Sequence, residues 1–291
     1  MTAPLVLFAG CRGLPEGSGD EAPVGPELAK LGVTLRWAVW DDPAVDFAAA
    51  DLVVLRATWD YSRRRDAFLD WCESVPRLRN PASVARWNTD KRYLLDLAAA
   101  GVPVVPTALV AVGETPHWPP GEVVVKPAVG AGSRGAGRFG PRERDRAAAH
   151  LAALHGQGRD AVVQPYQADV DERGETALVF LGGRYSHAFT KAAMLAGTGP
   201  DSAGLFVPEK LAGTEPGAAY RALAEDALDA AAGLLRLART DLLYARVDVV
   251  TGDDGVPAVL ELEVTEPRLG FAQATGAAAL RFAEAVRAQL G

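Results

Sequence analysis

Short apolar runs at 5–9, 33–40 and 52–56 alternate with stretches at 24–31 and 62–73 in which apolar positions recur every third or fourth residue. The first pattern predicts buried strands and the second amphipathic helices. Strand and helix alternating in this way predict a small parallel α/β unit, closing near Arg79-Asn80-Pro81. Asn88 or Thr89 can then cap a helix over 91–100, which Gly101 closes and Pro103 stops. Strands are predicted at 104–110 and 123–126, on either side of a turn rich in proline (Pro116, Pro119, Pro120). A Gly-rich segment at 130–137, a helix at 141–154 and a strand at 161–165 complete a second unit. Strands at 176–181 and 184–190 follow across a Gly-Gly turn, then a long loop, a helix at 216–238, a hairpin and a last amphipathic helix at 275–290. The fold expected is of mixed α/β and α+β class in three parts: 1–85, 86–165 and 166–291.

The hairpin is the most informative segment. Gly252-Asp253-Asp254-Gly255 separates two apolar runs, a strong turn signal. A two-residue loop at Asp253-Asp254 pairs Gly252 with Gly255, Asp248 with Val259 and Arg246 with Glu261. Opposed residues share a face and side chains alternate with period two. Arg246, Asp248, Glu261 and Glu263 then project from one side, and Val247, Val249, Leu260 and Leu262 from the other. Three carboxylates on a half-buried face repel one another unless something binds them. Hard divalent cations prefer such oxygen ligands, and Mg²⁺ takes one or two carboxylates together with substrate phosphates. The competing reading is a solvent-facing sheet with charged decoration.

Composition narrows the classes. With 291 residues, 49% hydrophobic and 23% charged, the chain can bury a sizeable core. A net charge of −7 argues against a general nucleic-acid binder. Cys11 and Cys72 alone make no disulfide framework and no cysteine-rich zinc site. No apolar stretch approaches the roughly 18 residues of a membrane span, and the first residues lack a basic leader, so a cytoplasmic protein is expected.

Two further segments fit phosphate chemistry. Lys126 ends an apolar strand, and Gly130–Gly137 can bring backbone N–H groups close to phosphate oxygens, although the segment is neither a Walker A loop nor a dinucleotide fingerprint. Alone, such a loop is more often a hairpin tip. Gln164-Pro165-Tyr166 breaks a strand as an interdomain hinge would. His117, His150, His155 and His187 show no ligand spacing.

In order, Asn88-Thr-Asp-Lys91, Val124-Val-Lys126-Pro, the Gly130–Gly137 loop, Gln164-Pro165-Tyr166, Arg246-Val-Asp248 and Glu261-Leu-Glu263 resemble the ATP-grasp superfamily over essentially the whole chain. Leu55-Arg-Ala-Thr-Trp-Asp-Tyr61, Trp87-Asn-Thr-Asp-Lys91, Gly101-Val-Pro-Val-Val-Pro-Thr107 and Leu260-Glu-Leu-Glu-Val-Thr-Glu-Pro267 look like the group containing the O-ureido-D-serine cyclo-ligase of antibiotic (D-cycloserine) biosynthesis. Ribosomal-protein glutamate ligases are more distantly similar.

The resemblance implies an ATP-grasp fold preceded by a small Rossmann-like domain, with ATP and Mg²⁺ as cofactors. By it Lys91 and Lys126 hold phosphates, and the loop with Gly130, Gly132, Ser133 and Gly135 covers the γ-phosphate. Gln164, Pro165 and Tyr166, with Asp169 or Asp171, hold adenine and ribose. Asp248, Glu261 and Glu263 ligate the metal, and Arg246, Lys191 and Arg134 are the catalytic cations. Arg56, Thr58, Trp59, Asp60 and Tyr61, with Glu175 and His187, form the substrate side. Arg56 and Asp60 are expected to grip the opposite charges of a small zwitterion, walled by Trp59 and Tyr61.

Two positions depart from the family pattern. Glu263 stands where asparagine is common, and Arg268 follows Pro267 where a small residue is expected. The function implied is an ADP-forming carboxylate ligase: an acyl phosphate forms on a small amino-acid-like acid and a nitrogen nucleophile captures it, by cyclisation or as an amide or peptide ligase. The rival class is a catalytically silent ATP-binding regulatory module, against which the intact metal ligands speak. No nucleic-acid or membrane partner is expected, and a homodimer is left open.

Overall fold

The computed structural model describes residues 3–193, 204–205, 210–252, 254–274 and 277–290. The first part is a parallel sheet of β1 (Leu5–Gly10), β2 (Thr34–Val39), β3 (Leu52–Ala57) and β4 (Leu78–Arg79), in the order β2-β1-β3-β4. Helices α1 (Val24–Lys30) and α2 (Arg65–Ser74) belong to the same part. Every residue of β3 is buried, as a strand covered on both faces must be.

Two short helices follow, α3 (Ala82–Asn88), which was not expected, and α4 (Tyr93–Ala99), which is the expected helix over 91–100. Asn88 does not cap. It lies within α3, donates 2.7 Å to the Leu262 carbonyl and accepts 2.9 Å from the Val264 N–H, stitching the helix to the last strand. The second sheet is antiparallel: β5 (Ala108–Val110), β6 (Val123–Pro127), β7 (Gly137–Phe139) and β8 (Ala161–Pro165), in the order β5-β8-β6-β7. Helix α5 (Arg144–His155) packs on it around Val123, Val125, Phe139, Leu151 and Val163. The expected strand at 104–110 is shorter, and Val104 instead bridges to Val259.

After the short helix α6 (Asp169–Arg173) comes the third sheet, formed by β9 (Glu175–Leu181), β10 (Arg184–Lys191), β11 (Leu211–Thr214), β12 (Tyr244–Thr251) and β13 (Pro257–Glu263) in the order β11-β10-β9-β12-β13. Helix α7 (Ala218–Leu235) covers one face together with α3 and α4, through Val84, Leu94, Leu97, Leu228 and Val247. Helix α8 (Ala278–Ala288) covers the other. There Val6, Phe8 and Val54 of the first sheet join Ala177, Val179, Phe189 and Phe282 in one continuous core. The first and third sheets thus share apolar packing, whereas the second keeps a core of its own.

Candidate active site

The hairpin of β12 and β13 carries the centre of the cleft. Gly252 N–H donates 2.8 Å to the Val256 carbonyl, one residue later than a two-residue loop allows. Asp253 lies outside the described residues. Val249 then faces Val259, but Asp248 faces Glu261, so Leu260 is an extra residue, a β-bulge. The longer loop and the bulge each shift the register by one, and together they restore parity. Arg246 faces Glu263, and Arg246, Asp248, Glu261 and Glu263 share one face. Leu260, expected on the apolar face, lines the cleft beside Glu261. Val259 stays in the core, held by hydrogen bonds of 2.9 Å to Pro103 and Val105.

Ligand oxygens of Asp248, Glu261 and Glu263 lie within 4.8 Å of one another. Cations interleave them. Lys126 Nζ is 2.6 Å and Lys91 Nζ 3.5 Å from Glu261, and Lys191 Nζ is 2.6 Å from both Glu175 and Asp248. Arg246 donates to Asp248 at 2.8 and 2.9 Å and to Glu263 at 2.6 Å. Burial opposes the Glu261 anion, but the charges of Lys126 and Lys91 outweigh it and hold its pKa well below the usual range. Arg246 and Lys191 do the same for the fully buried Asp248. Glu263 is pushed up to about 7, by burial and by the charges of Asp248 and Glu261. A site that strains one carboxylate toward neutrality lacks positive charge, and a divalent cation with oxygen preference fits this donor set.

The Gly-rich segment is the turn from β6 to β7, with Gly132, Ser133 and Gly135 at positive φ. Arg134 fastens it across the cleft, donating 2.8 Å to the Trp59 carbonyl, 2.6 Å to Ser62 Oγ and 3.1 Å to the Gly204 carbonyl. Beyond β8, Gln164, Pro165, Tyr166 and Gln167 line the far end of the cleft with Val170 and Leu260.

Residues 6–80 match the family model described as the N-terminal domain of D-cycloserine synthetase DcsG. The cycloserine biosynthesis protein DcsG of Streptomyces lavendulae is 38% identical over 286 residues, which span 93% of this chain and 94% of that protein. The chain belongs to the ATP-grasp ligases of the D-cycloserine synthetase family. The crystal structure of D-cycloserine synthetase DcsG superposes with a TM-score of 0.87 at 35% identity, covering 99% of this chain and 100% of that one. D-Alanine–D-alanine ligase from Bacillus anthracis, in complex with ATP, has a TM-score of 0.69 at 16% identity, with 99% and 97% covered, a likeness of fold. As a member of this family the chain is an ADP-forming carbon–nitrogen ligase with an ATP-grasp fold behind a separate N-terminal domain.

In this ATP-grasp cleft the structure brings together Lys91, Lys126, Gly130, Gly132, Ser133, Arg134, Gln164, Pro165, Tyr166, Glu175, Lys191, Arg246, Glu261 and Glu263, with Trp59 and Tyr61 as the wall from the first part. Asp248 lies beneath, fully buried. Other expected residues lie elsewhere. Arg56 is 1% exposed and lies between elements, its Nη2 2.9 Å from Glu21 and 2.7 Å from the Pro267 carbonyl, its guanidinium 5.0 Å from the Tyr244 ring centroid. Asp60 accepts from Trp40 Nε1 and pairs with Arg64, both at 2.8 Å, so the expected zwitterion grip is not assembled. Thr58 is buried, its hydroxyl without a hydrogen-bond partner among the described residues. His187 is buried against the Leu269 carbonyl at 2.7 Å, off the cleft. Asp169 opens α6 and pairs with Arg173, while Asp171 accepts from the Tyr166 hydroxyl at 2.6 Å and binds Arg138. Gly135 sits behind the loop against Pro127.

Sequence reasoning missed Glu266. It is 8% exposed, lines the cleft, and faces the Tyr61 hydroxyl, while its carbonyl accepts from Trp59 Nε1 at 3.0 Å. Burial and the charge of Glu263 push its pKa up to about 8. The signal in the sequence was its place in the stretch Leu260–Pro267, three residues beyond Glu263, to which no role was attached.

Proposed function

We propose that this ligase phosphorylates the carboxylate of a small amino-acid derivative with the γ-phosphate of ATP, releasing ADP, and that a nitrogen of the same molecule then closes a ring on the acyl carbon, expelling phosphate and giving up its proton. The single observation that carries the reading is the joining, in one cleft, of three carboxylates within 4.8 Å with Lys91, Lys126, Lys191 and Arg246 beneath a glycine loop. Relationship to a cycloserine biosynthesis protein favours cyclisation over joining of two molecules.

In this reading the purine lies between Gln164–Gln167, Val170 and Leu260. Lys91 and Lys126 would exchange Glu261 for phosphate oxygens, and Asp248, Glu261 and Glu263 would hold Mg²⁺, which when bound would supply charge neutralisation for the phosphoryl transfer. Arg246, fixed by Asp248 and Glu263, presents its guanidinium where carboxylate and phosphoryl group meet, adding preorganised positive charge as negative charge spreads in the transition state. Arg134 keeps the glycine loop shut against the segment bearing Trp59 and Tyr61, excluding water from the acyl phosphate.

The test is turnover of ATP with a panel of amino acids and their O-ureido and amino-oxy derivatives. ADP and phosphate are the expected products, with a cyclised product from the right acid. AMP and pyrophosphate would replace the acyl-phosphate mechanism with adenylation.

A further inference from the structure

The cleft has one carboxyl that neither phosphate nor metal chemistry uses. Glu266 follows β13 after three residues, on the side of the cleft closed by Trp59 and Tyr61. It is more than nine-tenths buried, lines the cavity, and among the described residues has no cation within ion-pair distance. Every other carboxyl of the cleft is tied to a cation: Glu261 to Lys126, Glu175 and Asp248 to Lys191, Glu263 to Arg246. Its carboxyl meets the Tyr61 hydroxyl and otherwise faces the cavity, where a donor on the ligand can reach it.

The direction of attack identifies that donor. The acid must present its carboxylate to Arg246, with the phosphate side filled by the lysines. The nucleophile therefore approaches from the opposite wall. Four cleft residues there present polar side-chain groups: Glu266, Tyr61, Trp59, whose indole N–H is engaged with the Glu266 carbonyl, and Arg134, whose guanidinium is engaged with Trp59 and Ser62. Glu266 presents a carboxyl whose carbonyl oxygen accepts whether or not the group carries its proton, and Tyr61 can accept or donate.

Resting on the acyl-phosphate reading above, we propose that Glu266, backed by the Tyr61 hydroxyl, is the specificity-determining residue for the nucleophile: it accepts the N–H of an amide-, urea- or hydroxylamine-type nitrogen and aims it at the acyl carbon. Trp59, anchored to the Glu266 carbonyl at 3.0 Å, sets the height of this wall.

The experiment separates activation from capture, with O-ureidoserine as the acid. ADP, cyclised product and, with hydroxylamine added, hydroxamate are measured for the wild type, Glu266→Ala, Glu266→Gln and Tyr61→Phe. Glu266→Ala should lower product per ADP at least tenfold while hydroxamate per ADP is kept or rises, because free hydroxylamine in large excess reaches the acyl carbon without being aimed. Glu266→Gln, whose amide oxygen still accepts an N–H, should recover part of the loss, and Tyr61→Phe should lose several-fold. Wild-type product per ADP in Glu266→Ala and Tyr61→Phe overturns the assignment and leaves the acyl-phosphate reading standing. Equal loss of product and hydroxamate per ADP overturns it too, since Glu266 would then serve activation. A wild type that releases AMP and pyrophosphate in place of ADP overturns the acyl-phosphate reading and, with it, the assignment.

Discussion

At the scale of residues, the cleft is a set of charges held against their preference for water. Asp248 and Glu261 stay ionised because cations face them, and those cations are the groups that phosphate would claim. Glu261→Gln or Asp248→Asn should abolish ADP formation while the circular dichroism spectrum is kept; both kcat and kcat/KM fall together, as for contacts made in the transition state. Turnover at the wild-type rate in both variants would make the carboxylate face mere decoration. Glu266 yields a prediction with a pH signature. Its carboxyl ionises from about 4.5 when unfolded but keeps its proton to about 8 when folded. Between those values the native state binds more protons than the unfolded state, so this residue takes stability away as pH rises. Metal-free Glu266→Gln should match the wild type near pH 4.5 and exceed it near pH 8 by on the order of a few kcal/mol in denaturant melts. A stability gap that does not change with pH would mean that Glu266 ionises normally.

At the scale of elements, much of the hairpin was legible, and for a physical reason. Alternation of charged and apolar residues reports which side chains share a face, and Arg246, Asp248, Glu261 and Glu263 do so. Register was not legible. It depends on loop length and on the Leu260 bulge, and Val259 is fixed by Pro103 and Val105, which no pattern within the hairpin can announce. The same limit explains Arg56: a strand-end arginine suggests a ligand, and only the fold shows that Glu21, 35 residues earlier, already occupies it. Asn88 likewise reads as a cap until β13 appears beside it. The glycine loop was visible from composition, but its fastening through Arg134 to Trp59 and Ser62 was not. Arg134→Ala should raise the KM for ATP several-fold and increase ADP released without product. Arg134→Lys should restore little, because an ammonium cannot span three separated acceptors. Coupled turnover in the alanine variant would show that the loop closes without this residue.

At the scale of the whole molecule, a loop of the first part clasps the third. Asp20 accepts three backbone N–H groups, from Leu269, Gly270 and Phe271, at 2.9–3.0 Å. Glu21 holds Arg56, which also reaches Pro267. Arg56→Ala leaves Glu21 buried without a partner and should cost about 3–5 kcal/mol of stability, read as a lower melting temperature. The KM for the acid should stay near the wild-type value in the folded fraction; a tenfold rise at unchanged melting temperature would return Arg56 to the substrate. The sharing of one core by the first and third sheets, with the second sheet left to its own, has a calorimetric consequence. Parts that share buried apolar surface melt together, and a part with a separate core can melt by itself. A heating scan of the ligand-free protein should resolve two endotherms, the smaller from residues around Val123, Phe139 and Leu151. A non-hydrolysable ATP analogue with Mg²⁺, gripped by both bodies, should merge them into one.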